Sequence, residues 1–464
     1  MTGPGDRQQG NVMGVICAVP RGRASIALLF TMVAMMCAIT NPACADPYKR
    51  SFVGIQGTGP AVLYQPVTPN PKTSHIGILV MHPNGNFLEH PTILGVRGGA
   101  GLASLGYTVL AQNSTMSGND ILDTDKLLLE VSKGVKYLKS VEGVTKVVLM
   151  GHSGGGPTMA AYQFIAENGV KACQGPERIV PCPDSLAGMP PADGVILLDS
   201  SLGFGAITLT SLDPAVTNEQ ATKLNPALNL YNPANGFHPP TGATYSPAFV
   251  QAYATGQARR MQKLIDTALA RLKVIEAGQG KYANDEPFDV PGADLGAGQI
   301  WSYDLNVGAH THDPHWLVKP DGTRVNVIVP SVRAPYKTAV SPIPRTQAAY
   351  VTTVRRFLNT WAVRPLPDYG YGEDYIKGID YQSSYNSVVS GVEKTKAPLL
   401  IVGMSAGQLL VTGETIYNHA ASADKSLIFI EGATHPTQPI DWDKYGNTTA
   451  TTVNTFDSWL RERF

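Results

Sequence analysis

Short apolar runs recur along this chain, with helix-patterned stretches between them. Residues 76–81 (IGILVM), 107–111 (YTVLA), 146–150 (KVVLM), 194–198 (GVILL), 399–402 and 427–430 are each too short for a helix and are bounded by Gly, Pro, Asn or Asp. Their apolar residues do not alternate with polar ones, the pattern of strands buried on both faces. Between 120 and 142 the apolar positions Ile121, Leu122, Leu127, Leu128, Val131, Val135 and Leu138 fall at helical spacing. Helices are likewise predicted at 95–105, 158–168 and 451–463. Strands and helices in alternation predict a mostly parallel sheet with helices on both faces.

The rhythm breaks between 202 and 396. This stretch is rich in Asn, Pro, Gly and Tyr, and we take it as an insertion. Ser246 as cap and Pro247 in the first turn open one long helix, running to about residue 277. Pro320-Asp321-Gly322 between two apolar runs predicts a hairpin over 316–329, and 345–363 is expected to form a second helix. Lying after the fourth predicted strand, the insertion would cover the C-terminal ends of the strands as a lid or cap. The expected organisation is a leader at 1–45, core at 46–201, lid at 202–396 and core again at 397–464.

The leader has the features of a secretory signal. Arg21 and Arg23 precede an apolar run over 24–40, and Ala43-Cys44-Ala45 supplies a small-x-small cleavage pattern, so the mature chain would start at Asp46. Periplasmic or extracellular residence follows, with no membrane attachment after cleavage. Outside the leader only Cys173 and Cys182 remain. In an oxidising compartment they are expected to pair, closing a short loop that contributes roughly 2–3 kcal/mol.

The chemistry is concentrated where the third run ends. Gly151-His152-Ser153-Gly154-Gly155 is a Gly-x-Ser-x-Gly sequence between a predicted strand and a predicted helix. That context forces a serine into a tight, strained turn with its hydroxyl exposed, and glycines on either side let strand and helix approach. A serine at neutral pH needs a base, and the base needs an orienting carboxylate. His435 follows the last predicted strand in Glu431-Gly432-Ala433-Thr434-His435 and is the candidate base. No acid stands in Gly403-Met404-Ser405-Ala406-Gly407-Gln408, after the penultimate strand. Asp199, directly after the strand 194–198, is the preferred carboxylate, with Asp213 and Glu414 as alternatives. Two backbone N–H groups must hold the developing oxyanion. Gly154 is one candidate. Asn84, in the loop after the first run, is the other.

A second cluster, His310-Thr311-His312-Asp313-Pro314-His315, has metal-ligand residue types, but its close spacing and Pro314 oppose one closed site, so no metal is expected. Lys+Arg and Asp+Glu are both 36, which leaves no electrostatic footprint for nucleic acid. The expected partner is a small ester or related carbonyl compound.

The segments His82–Phe87 (HPNGNF), GHSGG at the elbow and the terminal EGATH resemble the α/β-hydrolase superfamily. The resemblance covers roughly residues 70–201 and 397–464. Asn113–Asp120 (NSTMSGND) and Leu212–Glu219 with Asn235–Phe237 also look like stretches found in a group of bacterial α/β-hydrolases. The resemblance implies an eight-stranded sheet, a Ser–His–acid triad and no cofactor. A minority of lipase-like members place the acid one strand early, which matches Asp199. The implied activity is cleavage of a carboxylic ester through an acyl-enzyme on Ser153. C–C bond hydrolysis of a diketone would use the same triad, and a binding protein on a hydrolase scaffold is the reading from another class.

Overall fold

In the computed structural model, the described residues are 46–82, 100–116, 122–218, 223–239, 241–293, 299–335 and 349–464. The leader expected at 1–45 and the oxyanion candidate Asn84 lie outside them. The described part of the chain from Asp46 to Phe464 is one compact unit.

The chain enters the sheet through β1 (Tyr48–Val53), β2 (Ala61–Pro66), β3 (Ile76–His82), α1 (Ala100–Ser104), β4 (Thr108–Asn113), α2 (Thr124–Ser140), β5 (Lys146–His152), α3 (Gly155–Asn168) and β6 (Gly194–Leu198). After the insertion come the strands Leu399–Met404 and Lys425–Ile430 and the last helix Thr448–Arg463. The strand order is β1-β2-β4-β3-β5-β6, then Leu399–Met404 and Lys425–Ile430. From β4 to Lys425–Ile430 all neighbours are parallel, whereas β2 runs antiparallel to both β1 and β4.

Both faces of the central strands are covered, which is why their sequences lack alternation. Leu79, Met81 and Leu149 pack into a core with Leu127, Val131 and Val135 of α2 and Met159 and Phe164 of α3. Their neighbours Ile78, Val80, Val148 and Met150 turn to the other face, with Leu102 of α1 and Phe456, Trp459 and Leu460 of the last helix. Asp123 caps α2 by accepting from the Asp125 N–H, which sets the start of that helix at Thr124 rather than 120.

Among the described residues the sheet has ten strands where eight were expected. The hairpin predicted at 316–329 is present as His310–Val318 and Arg324–Pro330, turning at Lys319–Thr323. Instead of remaining in a lid it joins the sheet, because Trp316–Val318 pairs in parallel with Ile428–Ile430. This part of the segment 202–396 therefore extends the sheet. Its long helix is Pro247–Glu276, with Ser246 Oγ accepting from the Phe249 N–H. The helix expected over 345–363 is corrected. Ala349–Thr353 is a strand antiparallel to Pro287–Pro291, and helical turns begin only at Val354. Tyr350-Val351-Thr352-Thr353 are aromatic and β-branched residues that lose side-chain freedom in a helix, and a partner strand some sixty residues earlier was available.

Two strands at the start of the described chain, β1 and β2, were not anticipated. β1 is a solvent-facing edge (Phe52 is 75% exposed), so its residues carry no burial pattern to detect. No helix among the described residues is long and apolar enough to cross a membrane.

Candidate active site

Ser153 sits between β5 and α3 with a φ of 56°, the left-handed region that a residue with a Cβ rarely adopts. Such a conformation costs roughly 1–3 kcal/mol and persists only where the surroundings impose it. They do so here from the neighbouring strand. The Ser153 N–H donates to Leu198 O at 3.0 Å, and the Ser201 N–H donates to Ser153 O at 3.3 Å. The turn is tight enough that a Cβ on Gly155 would fall on the Met81 carbonyl. Gly154 stands at the start of α3, where the first N–H groups lack intrahelical partners and carry partial positive charge.

Asp199 leaves β6 with a φ of 39° and is 2% exposed. Its N–H donates to Val402 O at 2.7 Å, which holds it between two strand ends. Oδ2 lies 2.5 Å from His435 Nδ1, while Oδ1 is buried with no hydrogen-bond partner among the described residues. His435 is carried by the turn after Lys425–Ile430, and its ring is about one quarter exposed. Its carbonyl accepts from His152 Nε2 at 2.9 Å, and the two imidazole centroids are 4.5 Å apart. His152 directly precedes Ser153. The predicted nucleophile, base and acid thus follow the C-terminal ends of three parallel strands, with Leu399–Met404 between those of the acid and the base.

His435 opens onto a cleft of about 430 Å³. Ala406, Gly407, Gln408, Thr434, Pro436 and Ile440 form one side. The insertion supplies the other, through Trp301, Ser302 and the segment Arg333–Pro335. The Arg333 guanidinium is fixed by the carbonyls of Asp304, Leu305, Val307 and Gly308, and burial brings its pKa down to about 10. A second cavity of similar size, about 420 Å³, lies elsewhere, at the start of Lys425–Ile430 and beside His315.

The rival acids are engaged elsewhere. Glu414 accepts from His315 Nε2, from the His312 N–H and from the Asp313 N–H, each at 2.8 Å. Burial opposes its ionisation, but the bonds from His315, Asp313 and His312 outweigh burial and hold its carboxyl below the usual range. Its task is to anchor the irregular start of the strand His310–Val318. Asp213 Oδ1 accepts from the Ala215 N–H in a turn of the insertion. The three clustered histidines do not converge. His310 faces Glu373, His312 pairs with Asp374 and His315 with Glu414. Cys173 and Cys182 are joined in a disulfide, Cα atoms 5.6 Å apart, just beyond α3.

Two residues at the site carried no signal that the sequence reading used. One is His152, whose place in the motif is open to any residue type. The other is Gly407, in the segment where an acid was sought and not found. A Cβ there would come within 2.9 Å of Asp199 Oδ2. The position opposite His435 that lacks an acid is thus a glycine because the carboxylate from β6 occupies that space. Gly407→Ala is expected to push Asp199 off His435 and lower kcat by about 10- to 100-fold with KM little changed, since misplacing a catalytic group by about 1 Å costs on that order. Steady-state kinetics on an activated ester checks this, and unchanged kcat would contradict the packing described.

No protein-family model and no curated protein sequence matches this chain. Several solved structures are similar to it. Est1E from Butyrivibrio proteoclasticus is 13% identical, covering 89% of this chain and 98% of its own, with a TM-score of 0.38. The alpha/beta hydrolase GrgF from Penicillium sp. sh18 is 11% identical over 90% and 99%, at 0.39. A soluble variant of monoglyceride lipase from Saccharomyces cerevisiae is 14% identical over 90% and 96%, at 0.37. The sheet order of this chain, with β3 between β4 and β5 and the serine turn after β5, is that of the α/β-hydrolase fold.

Proposed function

We propose that this protein is a serine hydrolase that cleaves carboxylic esters. Ser153 Oγ attacks the acyl carbon as His435 Nε2 takes the hydroxyl proton. Asp199 keeps the His435 proton on Nδ1 and stabilises the imidazolium that forms. The tetrahedral oxyanion is held by the Gly154 N–H, with Asn84 as the proposed second donor. Collapse breaks the ester C–O bond, and His435 returns its proton to the departing alkoxide. Water then attacks the acyl-enzyme, giving its proton to His435, and the acid leaves as Ser153 is restored. The observation that carries this reading is the 2.5 Å bond between Asp199 Oδ2 and His435 Nδ1, beside the strained turn that presents Ser153.

The cleft walls are largely apolar, with Trp301, Pro335, Pro436 and Ile440 prominent. They favour an uncharged or aromatic group next to the scissile bond, in a pocket of the size that holds small ligands. Labelling with a fluorophosphonate tests the assignment. The wild-type protein should be modified at Ser153 and Ser153→Ala should not. Turnover of a p-nitrophenyl ester panel, run beside a diketone, then separates ester from C–C cleavage. Failure of the wild-type protein to label, or labelling that survives in Ser153→Ala, would overturn the proposal.

A further inference from the structure

We infer that His152 is a positioning residue: its Nε2–H, by holding the carbonyl of His435, fixes the loop that presents the His435 ring to Asp199 and Ser153. This inference rests on the proposed roles of those three residues.

The donor assignment follows from the partner. His435 O can only accept, so the proton of His152 is on Nε2, 2.9 Å away, and Nδ1 is bare. Nδ1 is buried with no hydrogen-bond partner among the described residues. The ring is 1% exposed. Burial first, then the neighbouring His435 and His82, hold its pKa well below the usual histidine range, so it stays neutral. That matters at a centroid separation of 4.5 Å, because a second cation there would oppose the charge that His435 must take up in the reaction.

Beyond His435 the loop is held to the last helix at Thr437, whose carbonyl accepts from Thr448 Oγ1 and Thr449 Oγ1. Much of its own bonding is internal: the Thr434 N–H donates to Gln438 O and the Thr437 N–H to Thr434 O, each at 2.7 Å. Contacts at its start run to the adjacent strand end, with Ala406 N–H on Ala433 O and Gly432 N–H on Ser405 Oγ. The His152 bond instead reaches the backbone of His435 itself, and it comes from the residue joined by one peptide bond to Ser153. It therefore couples the position of the base to the position of the nucleophile. An apolar side chain would fill the same buried space without that coupling.

Three variants test this in the full chain. His152→Leu keeps apolar bulk and loses the donor. His152→Asn keeps an amide that is too short for the carbonyl. His152→Gln places an N–H at nearly the reach of Nε2. On a p-nitrophenyl ester, Leu and Asn are expected to lower kcat by about 10- to 100-fold, with KM within about twofold and fluorophosphonate labelling slowed in proportion. Gln is expected to recover most of the rate. Should Leu fail to fold, Asn against Gln makes the same comparison. Full kcat in Asn, or a Gln variant as slow as Asn, would overturn the inference while leaving the hydrolase assignment intact. A wild-type protein that fails to label at Ser153 would remove both.

Discussion

Asp199→Asn is expected to lower kcat by about four orders of magnitude while KM changes little. The amide would set an N–H against His435 Nδ1, where the carboxylate now stands at 2.5 Å. The imidazole proton would move to Nε2, facing Ser153, and His435 could no longer accept the hydroxyl proton. Asp199 is buried, its backbone is held by Val402 O, and Gly407 leaves no side chain that could substitute for it. Glu414→Gln is the companion measurement. Because Glu414 serves His315 and two backbone N–H groups of the strand His310–Val318, its loss should weaken stability and spare kcat. Steady-state kinetics on both variants decides the acid. Near wild-type turnover in Asp199→Asn together with an inactive Glu414→Gln would reverse the assignment.

Gly151→Ala is expected to have the second large effect, this time on folding. A Cβ at Gly151 would fall on the Gly155 carbonyl group, 2.5 Å from its carbon, and 2.7 Å from the Gly156 nitrogen. These are backbone atoms of α3, and they cannot turn aside as a flexible side chain can. Overpacking a well-packed site costs about 1–3 kcal/mol when side chains absorb it, and this site should exceed the upper end. α3 must move away from β5, which also relaxes the turn that holds Ser153 at positive φ. Chemical denaturation should therefore show a lower midpoint, and the folded fraction should react more slowly with fluorophosphonate. A variant with the wild-type midpoint and labelling rate would mean that strand and helix do not meet as closely as described.

Much of the central sheet could be read from the chain because the information is local. The runs at 76–81, 146–150, 194–198, 399–402 and 427–430 are short, apolar and bounded by turn residues, and each is a strand. The elbow announces itself through Gly151, Ser153 and Gly155, because only small residues fit where β5 folds back into α3. The helix after Ser246 and Pro247 was legible for the same reason, since its cap and first turn adjoin in sequence. Where local preference and distant pairing disagreed, pairing won. Residues 349–353 were grouped with a helix, but Pro287–Pro291 offered them a strand partner. The hairpin at 310–330 was visible as a hairpin, whereas its docking on Lys425–Ile430 was not, because the partner lies about a hundred residues away.

The candidate site divides along the same line. His435 could be found from its place after the last strand, and Asp199 from its place after β6. In the linear chain Asp199 was preferred to Asp213 and Glu414 only because it directly follows a strand, which leaves its partner open. The tertiary structure separated them by giving Glu414 to His315 and Asp199 to His435. The bond from His152 to His435 O and the space left by Gly407 arise between segments more than two hundred residues apart. The sequence by itself determined the central strands, the elbow and its serine, because backbone conformation and apolar burial act over a few residues. Only the tertiary structure decided which carboxylate meets which imidazole, because that depends on the order in which the strands lie side by side.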